Sequence, residues 1–266
     1  MGEQSTPQKF TNVSGYTVRY LDYGAADAKT LILLHGIGAS AERWSRVIPG
    51  LSKYFHLIIP DIIGFGYSDK PAVEYTMDFF VDFLKVFLDD LRISKASIIG
   101  SSFGGHVATE FAIRFNRMIE KLVLVSPAGM MKTSTPTLDR YIMAALYPVY
   151  EHVYEAFREM AYDSEYAVNE EIVMDFVNRM RLTNAKYAFM STVLGIRYAS
   201  KLNGRLSNIV APTLLVWGEQ DKMIPLQYAR QYEEIPESQL VVIKNCGHIP
   251  HIEKPTRFSD ILVRFL

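Results

Sequence analysis

Apolar residues along this chain form short continuous runs that alternate with stretches where they recur every three or four residues. Such runs predict strands buried on both faces, and the wider spacing predicts helices with one apolar side. The runs are residues 30–34, 56–61, 96–99, 121–125, 211–217 and 239–243. Helical spacing is clearest over residues 76–91 and 256–266, and strict alternation around a turn at 14–15 predicts an edge hairpin over 10–24. The chain is thus predicted to form a mostly parallel sheet with helices on both faces.

Residues 127–207 depart from this alternation because they contain no buried strand run. Their spacing predicts amphipathic helices near residues 138–147, 150–162, 169–180 and 185–198. The stretch is also rich in Tyr, Phe and Met, which suits both core packing and the lining of an acyl or aryl pocket. We therefore expect a core of residues 1–129 and 208–266, interrupted by a helical cap of residues 130–207.

Composition narrows the class of protein. The 266 residues, 49% of them hydrophobic, suit one large α/β domain with an insertion. A net charge of −1 gives no electrostatic reason to expect a nucleic-acid or membrane partner, and no apolar run is long enough to span a bilayer. The single cysteine, Cys246, excludes an intramolecular disulfide, and no apolar leader opens the chain, so we expect a cytoplasmic protein. The oligomeric state stays open.

The most informative stretch is residues 96–106. A short β-branched run ends in Gly-Ser-Ser-Phe-Gly-Gly, and helical spacing begins directly afterwards. Ser102 therefore lies in a very tight turn between Gly100 and Gly104. Only residues without a Cβ at these two positions let a strand and a helix pass so closely. The turn lifts the serine hydroxyl clear of the sheet and points N–H groups of the new helix at the same spot.

This Gly-x-Ser-x-Gly turn between a strand and a helix resembles the nucleophile elbow of the α/β-hydrolase superfamily. The loops Gly218-Glu-Gln-Asp221 and Gly247-His248 resemble that family's acid and histidine loops, and they occur in the family's order. The resemblance implies an α/β-hydrolase fold in which Ser102 attacks a carbonyl carbon. It implies that His248 takes the serine proton and later gives it to the leaving group, while Asp221 holds the imidazole. Activity is then expected to fall at acid pH, when His248 is protonated.

Each of these assignments has a structural alternative. Asp221 also suits a helix N-cap or a turn, and His248 suits a hydrogen-bonded loop histidine. Asp61 and Asp90 are weaker candidates for the acid. His106, just inside the predicted elbow helix, is expected on the helix surface, with a position facing the cap as the alternative.

The segment His35-Gly36-Ile37-Gly38 resembles the family's oxyanion loop. Fixed backbone donors stabilise the negative oxygen of a tetrahedral intermediate without reorganising. The resemblance assigns these donors to the backbone N–H groups of Ile37 and Phe103. His35 is expected to brace the loop rather than to react.

A metal or cofactor is not expected from the sequence. His248 and His251 have His-x-x-His spacing, but a proline separates them and no carboxylate pattern accompanies them. Cys246 is expected to pack as a small apolar residue. No phosphate-binding loop occurs.

The layout resembles both small carboxylesterases and the meta-cleavage-product hydrolases, which cut carbon–carbon bonds. Three positions depart from the second group: Ser101 stands where it favours Asn, Ile249 where it favours Trp, and residues 38–40 where it usually has Gly-Pro-Gly. Arg179 is a match for that group's cap arginine. We expect Gly36, Arg179 and Ile249 to contact substrate.

These departures favour hydrolysis of a small ester or lactone, with carbon–carbon hydrolysis as the alternative. A third hypothesis is a ligand receptor that keeps the hydrolase fold but turns over little of its ligand. The complete set of serine, acid and histidine argues against it.

Overall fold

Eight strands make up one sheet in the computed structural model, which describes residues 8–266. The strands are β1 (Gln8–Val13), β2 (Tyr16–Tyr23), β3 (Thr30–Leu34), β4 (His56–Pro60), β5 (Ala96–Ser101), β6 (Ile119–Val125), β7 (Thr213–Gly218) and β8 (Ser238–Ile243). Their order across the sheet is β1-β2-β4-β3-β5-β6-β7-β8. The pairs β1–β2 and β2–β4 are antiparallel and the other pairs are parallel, so the predicted sheet and its edge hairpin are both confirmed. Residues 1–7, on which the expectation about a leader segment rests, lie outside the described part.

The helices follow the predicted spacing closely. They are α1 (Ile48–Leu51), α2 (Met77–Asp90), α3 (Phe103–Arg114), α4 (Pro136–Leu146), α5 (Tyr150–Met160), α6 (Ser164–Ala167), α7 (Glu170–Met180), α8 (Ala185–Tyr198), α9 (Ala229–Tyr232), α10 (Pro250–Glu253) and α11 (Pro255–Phe265). The sequence pattern missed α6 and α10, which have four residues each and no 3-10 turn before them to lengthen the helical pattern. None of the helices within residues 8–266 combines the length and the apolar character needed to cross a membrane.

Side chains of the sheet alternate between two apolar cores, one on each face. In β3, for example, Ile32 and Leu34 belong to one core, whereas Leu31 and Leu33 belong to the other. Helices α2 and α3 cover the first face, and α1 and α11 contribute to the second. Both faces are therefore buried, as the continuous apolar runs predict.

Helices α4 to α8 lie between β6 and β7 in the chain. All of them except α6 contribute to an aromatic cluster in which Tyr141, Phe157, Phe176 and Phe189 pack with ring centroids 5.2 to 6.1 Å apart. This cluster reaches the loop after β3, since a Cβ added at Gly38 would lie 3.0 Å from the ring of Phe189. The inserted helices thus pack directly against a loop at the carboxyl end of the sheet.

Candidate active site

The turn at Ser102 has the strained geometry that its glycines predict. Ser102 has φ 54° and ψ −116°, a conformation that L-residues rarely adopt, between the end of β5 and the start of α3. A Cβ at Gly100 would lie 2.3 Å from the carbonyl oxygen of Gly104, and one at Gly104 would lie 2.4 Å from that of Leu34. Both glycines are required, because strand and helix meet backbone to backbone.

Asp221 and His248 follow β7 and β8 and meet at the carboxyl edge of the sheet. Nδ1 of His248 lies 2.8 Å from Oδ2 of Asp221, and both side chains are buried. The other carboxylate oxygen of Asp221 accepts hydrogen bonds from the backbone N–H groups of Met223 and Ile224, each at 2.9 Å. The carboxylate is therefore fixed by its own loop, and it orients the imidazole with the Nδ1 proton towards itself.

Ser102 and His248 line the same cavity, which has a volume of about 40 Å³. Nε2 of His248 is buried and forms no hydrogen bond with any residue from 8 to 266, Ser102 included. His248 is thus hydrogen-bonded to Asp221, whereas no hydrogen bond joins its Nε2 to the hydroxyl of Ser102. Hydrogen bonds of this kind are often long in ligand-free proteins and tighten only when substrate binds.

His35 orients the peptide unit between Gly36 and Ile37. Its Nδ1–H donates to the carbonyl oxygen of Gly36 at 2.8 Å, and its Nε2 accepts from the N–H of Ile62 at 3.0 Å. Burial lowers the pKa of His35 to about 4, so the ring stays neutral near pH 7. Because the peptide is planar and trans, holding the Gly36 oxygen on one side points the Ile37 N–H to the other.

The N–H groups of Ile37 and Phe103 are both free to bind a ligand. The carbonyl oxygen of Ser102 accepts from the N–H groups of His106 and Ala128, which turns the Phe103 N–H the opposite way. Neither the Ile37 nor the Phe103 N–H donates to another residue in the described part of the chain. The Ile37 N–H lies in the loop next to Ser102, since a Cβ added at the neighbouring Gly36 would lie 4.0 Å from Oγ of Ser102.

Two side chains from the inserted helices hold the loop that carries Ile37. Oη of Tyr141 donates to the carbonyl oxygen of Ile37 at 2.7 Å, and Nη1 of Arg179 donates to that of Gly38 at 2.8 Å. Asp175 accepts from the Arg179 guanidinium at 2.9 Å, so this cation is already paired. Of the three expected substrate contacts, Gly36 and Ile249 line the cavity, but Arg179 does not. The sequence could not reveal this difference, because Gly38 is far from Arg179 along the chain.

Asp61 and Asp90, the other two candidates for the acid, are both hydrogen-bonded to residues other than His248. Asp61 is fully buried, pairs with Arg19 at 2.9 Å, and accepts from the N–H groups of Ala41 and Tyr67. Asp90 is exposed and accepts from the hydroxyl of Thr11. Within residues 8–266, Asp221 is the carboxylate in contact with His248.

His106 is not on the surface, so that prediction is wrong. Its side chain is 1% exposed, with neither ring nitrogen hydrogen-bonded to a described residue. The reason is that segments after β6 cover α3: a Cβ at Gly129 would lie 2.7 Å from Leu202 and 2.9 Å from the His106 ring. Cys246 is buried as expected, and burial raises the pKa of its thiol.

Sequence reasoning missed Glu253, which braces the histidine loop. Its buried carboxylate accepts from the N–H groups of Gly247, Ile249, Tyr162 and Asp163 at 2.8 to 3.3 Å. It therefore ties the loop that carries His248 to the segment between α5 and α6. Its only signal in the sequence is a carboxylate beside apolar residues shortly after His248.

Arg43 was missed as well. It lies in a 3-10 turn shortly after the loop that carries Ile37, and it lines the cavity together with Ser102 and His248. A single arginine in a loop usually indicates a solvated surface, so nothing in the sequence singles out Arg43.

The family profile for the alpha/beta hydrolase fold matches residues 29–255. The chain belongs to this family. A 2-hydroxy-6-oxo-6-(2'-aminophenyl)hexa-2,4-dienoic acid hydrolase from Metapseudomonas resinovorans is 30% identical over 99% of this α/β hydrolase and 92% of the relative.

Solved structures of hydrolases are also similar to this chain in sequence and fold. A meta-cleavage product hydrolase from Pseudomonas fluorescens IP01 is 29% identical, with a TM-score of 0.87 over 97% of this chain and 96% of that one. The carboxylesterase CesB from Bacillus subtilis is 25% identical, with a TM-score of 0.88 over 99% of this chain and 92% of that one. This α/β hydrolase therefore resembles both carbon–carbon hydrolases and an esterase.

Proposed function

We propose that this α/β hydrolase cleaves carboxylic esters, lactones included, through an acyl-enzyme on Ser102. The observation that carries the proposal is the 2.8 Å contact between His248 and Asp221 on a cavity that Ser102 also lines. A serine hydroxyl is a weak nucleophile until a neighbouring base, itself oriented by a third group, accepts its proton. Nε2 of His248, which has no hydrogen-bond partner in the described part of the chain, is available as that base.

The reaction follows from these positions. Oγ of Ser102 forms a bond to the ester carbonyl carbon while Nε2 of His248 takes the hydroxyl proton, and Asp221 stabilises the resulting imidazolium. The N–H groups of Ile37 and Phe103 bind the negative oxygen, and each such donor is worth about 3 kcal/mol of barrier. Collapse breaks the bond to the alcohol, which leaves with the proton from His248. Water repeats the sequence on the acyl-enzyme and releases the acid.

Ester cleavage is favoured by the positions that differ from carbon–carbon hydrolases, namely Ser101, Ile249 and residues 38–40. The paired state of Arg179 adds to this, because a cation held by Asp175 and Gly38 is less available to a dienoate substrate. We further propose that residues 130–207 form a cap over the site, that Gly36 and Ile249 contact substrate, and that the enzyme works in the cytoplasm, where a lone cysteine stays reduced.

Carbon–carbon hydrolysis of meta-cleavage products is the second candidate. It is favoured by the names of relatives at 29 to 30% identity over nearly the whole chain. A receptor with little turnover is the third candidate, and the available base and donors argue against it.

A substrate panel separates the three. Purified protein is assayed with p-nitrophenyl acetate and butyrate, a set of lactones, and a dienoate ring-fission product. Multiple turnovers of esters that disappear in Ser102→Ala support the proposal. Turnover of the dienoate alone supports carbon–carbon hydrolysis, and a single stoichiometric burst without turnover supports a receptor.

A further inference from the structure

The cavity beside Ser102 contains a cation that no carboxylate within residues 8–266 pairs with. Arg43 is partly buried and lines the cavity, and its guanidinium forms no ion pair or side-chain hydrogen bond with any residue in the described range. The guanidinium lies over the ring of Phe157, whose centroid is 4.8 Å from Cζ of Arg43. Burial lowers the pKa of Arg43 to about 10, so the group remains charged near pH 7.

The neighbouring charges do not neutralise Arg43. The carboxylate whose charge raises the pKa of Arg43 is that of Asp175, which already accepts from Arg179 and from Oη of Tyr67. Arg179 and Arg46 lie close enough to act on it as like charges. A desolvated cation that lacks a partner is unfavourable in the folded protein, and a bound anion would relieve that cost.

His251 adds a second unsatisfied polar group to the lining of the same cavity, and the charge of Arg43 acts on its ring. Its side chain is 3% exposed, it lines the cavity, and its Nδ1 has no hydrogen-bond partner in residues 8–266. The ring packs on Trp44, with centroids 4.4 Å apart, which fixes its plane. A neutral imidazole has one N–H to donate, so Arg43 and His251 together offer a charge and a hydrogen bond to one anionic group.

We propose that Arg43, with His251 beside it, binds a carboxylate of the substrate, so that the preferred esters are monoesters of dicarboxylic acids. The inference rests on the proposed ester hydrolysis. The ester group would meet Ser102 while the free carboxylate meets Arg43 across the same cavity. Arg43 is then a specificity-determining residue, and the paired Arg179 is not.

Binding is tested without turnover. Ser102→Ala is titrated by calorimetry with monomethyl esters of linear dicarboxylic acids, from succinate to suberate, and with the matching dimethyl esters. We expect at least one monomethyl ester to bind more tightly than its dimethyl partner. Adding Arg43→Gln should weaken that monoester about tenfold or more, as the loss of a charge-assisted hydrogen bond predicts, and leave the dimethyl ester unchanged. Equal binding with and without Arg43 would overturn the proposal.

Arg46→Gln is the matched control. Arg46 lies nearby, but its guanidinium donates to the carbonyl oxygens of Ile252 and Tyr166 and does not line the cavity. Removal of this charge should leave the preference for monoesters intact. If it reduces the preference as much as Arg43→Gln does, the effect is one of general charge, and the specific site is rejected.

Turnover and stability complete the test. In the enzyme with Ser102, kcat/KM should favour the monoester, Arg43→Gln should abolish that preference, and Arg43→Lys should restore part of it. Arg43→Met should raise Tm in the absence of ligand, because it removes an unpaired charge; a large fall in Tm would instead indicate a purely structural arginine and contradict the proposal. If Arg43-dependent binding occurs but no ester is turned over, the proposed function fails and the carboxylate site stands.

Discussion

The hydroxyl of Tyr141, on α4, donates a 2.7 Å hydrogen bond to the carbonyl oxygen of Ile37. A helix inserted between β6 and β7 therefore holds the loop that presents one of the two free N–H donors beside Ser102. His35 holds the preceding peptide from the other side through the Gly36 oxygen. The position of the donor is thus set jointly by the sheet and by the inserted helices.

Tyr141→Phe should lower kcat about fivefold and leave KM nearly unchanged, as expected for the loss of one neutral hydrogen bond that orients a donor for the transition state. Steady-state kinetics with p-nitrophenyl butyrate measures the effect. Tyr147→Phe is the control, because this exposed tyrosine lies one residue beyond the same helix. An unchanged kcat in Tyr141→Phe would mean that α4 does not set the donor's position.

Asp221→Asn should reduce kcat by roughly four orders of magnitude while the protein stays folded. An amide oxygen can still accept from the N–H groups of Met223 and Ile224, but an amide opposite Nδ1 stabilises the wrong tautomer and no imidazolium. The measurements are kcat and Tm on the same preparation. Near-full activity would require a different carboxylate to act with His248.

Glu253→Gln should lower both stability and activity. The carboxylate accepts from four backbone N–H groups, and a glutamine would set an NH2 group against some of them, at a cost of about 2 kcal/mol. Thermal unfolding and kcat are compared with those of Glu165→Gln, an exposed glutamate on α6. If kcat is unaffected at a temperature where both variants are folded, Glu253 does not position His248.

His106→Leu should flatten the dependence of stability on acid pH. An unfolded histidine titrates near 6.5, whereas burial lowers the pKa of His106 to about 4. Between these values the unfolded chain binds a proton that the folded chain does not. The contribution of neutral His106 to the free energy of unfolding is therefore complete above about pH 6.5. It decreases by up to roughly 3 kcal/mol as pH falls towards 4.

Denaturant unfolding at a series of pH values tests this expectation. The exposed His152→Leu should behave like the parent protein. Part of the acid sensitivity should persist in His106→Leu, because burial lowers the pKa of His35 and His251 as well. An identical pH profile in His106→Leu and the parent would show that His106 takes no part in acid unfolding.

The sequence by itself determined the strands, the longer helices and their order along the chain. Thr30–Leu34 is a strand because every residue in it is apolar or β-branched, and Met77–Asp90 is a helix because its apolar residues share one side and Thr76 caps it. The tight turn at Ser102 follows from Gly100 and Gly104. Strand ends in a parallel sheet lie along one edge, which is why Asp221 and His248 could be predicted to meet.

Only the tertiary structure decided which charges are paired and which are free. In the sequence, Arg179 and Arg43 are both single arginines. In the structure, Asp175 and Gly38 hold Arg179, whereas Arg43 lines the cavity without a counter-ion among residues 8–266. The same holds for Glu253 and His106, whose surroundings come from distant segments. Local spacing encodes secondary structure, whereas the pairing and burial of a polar group depend on residues that folding brings together from far apart along the chain.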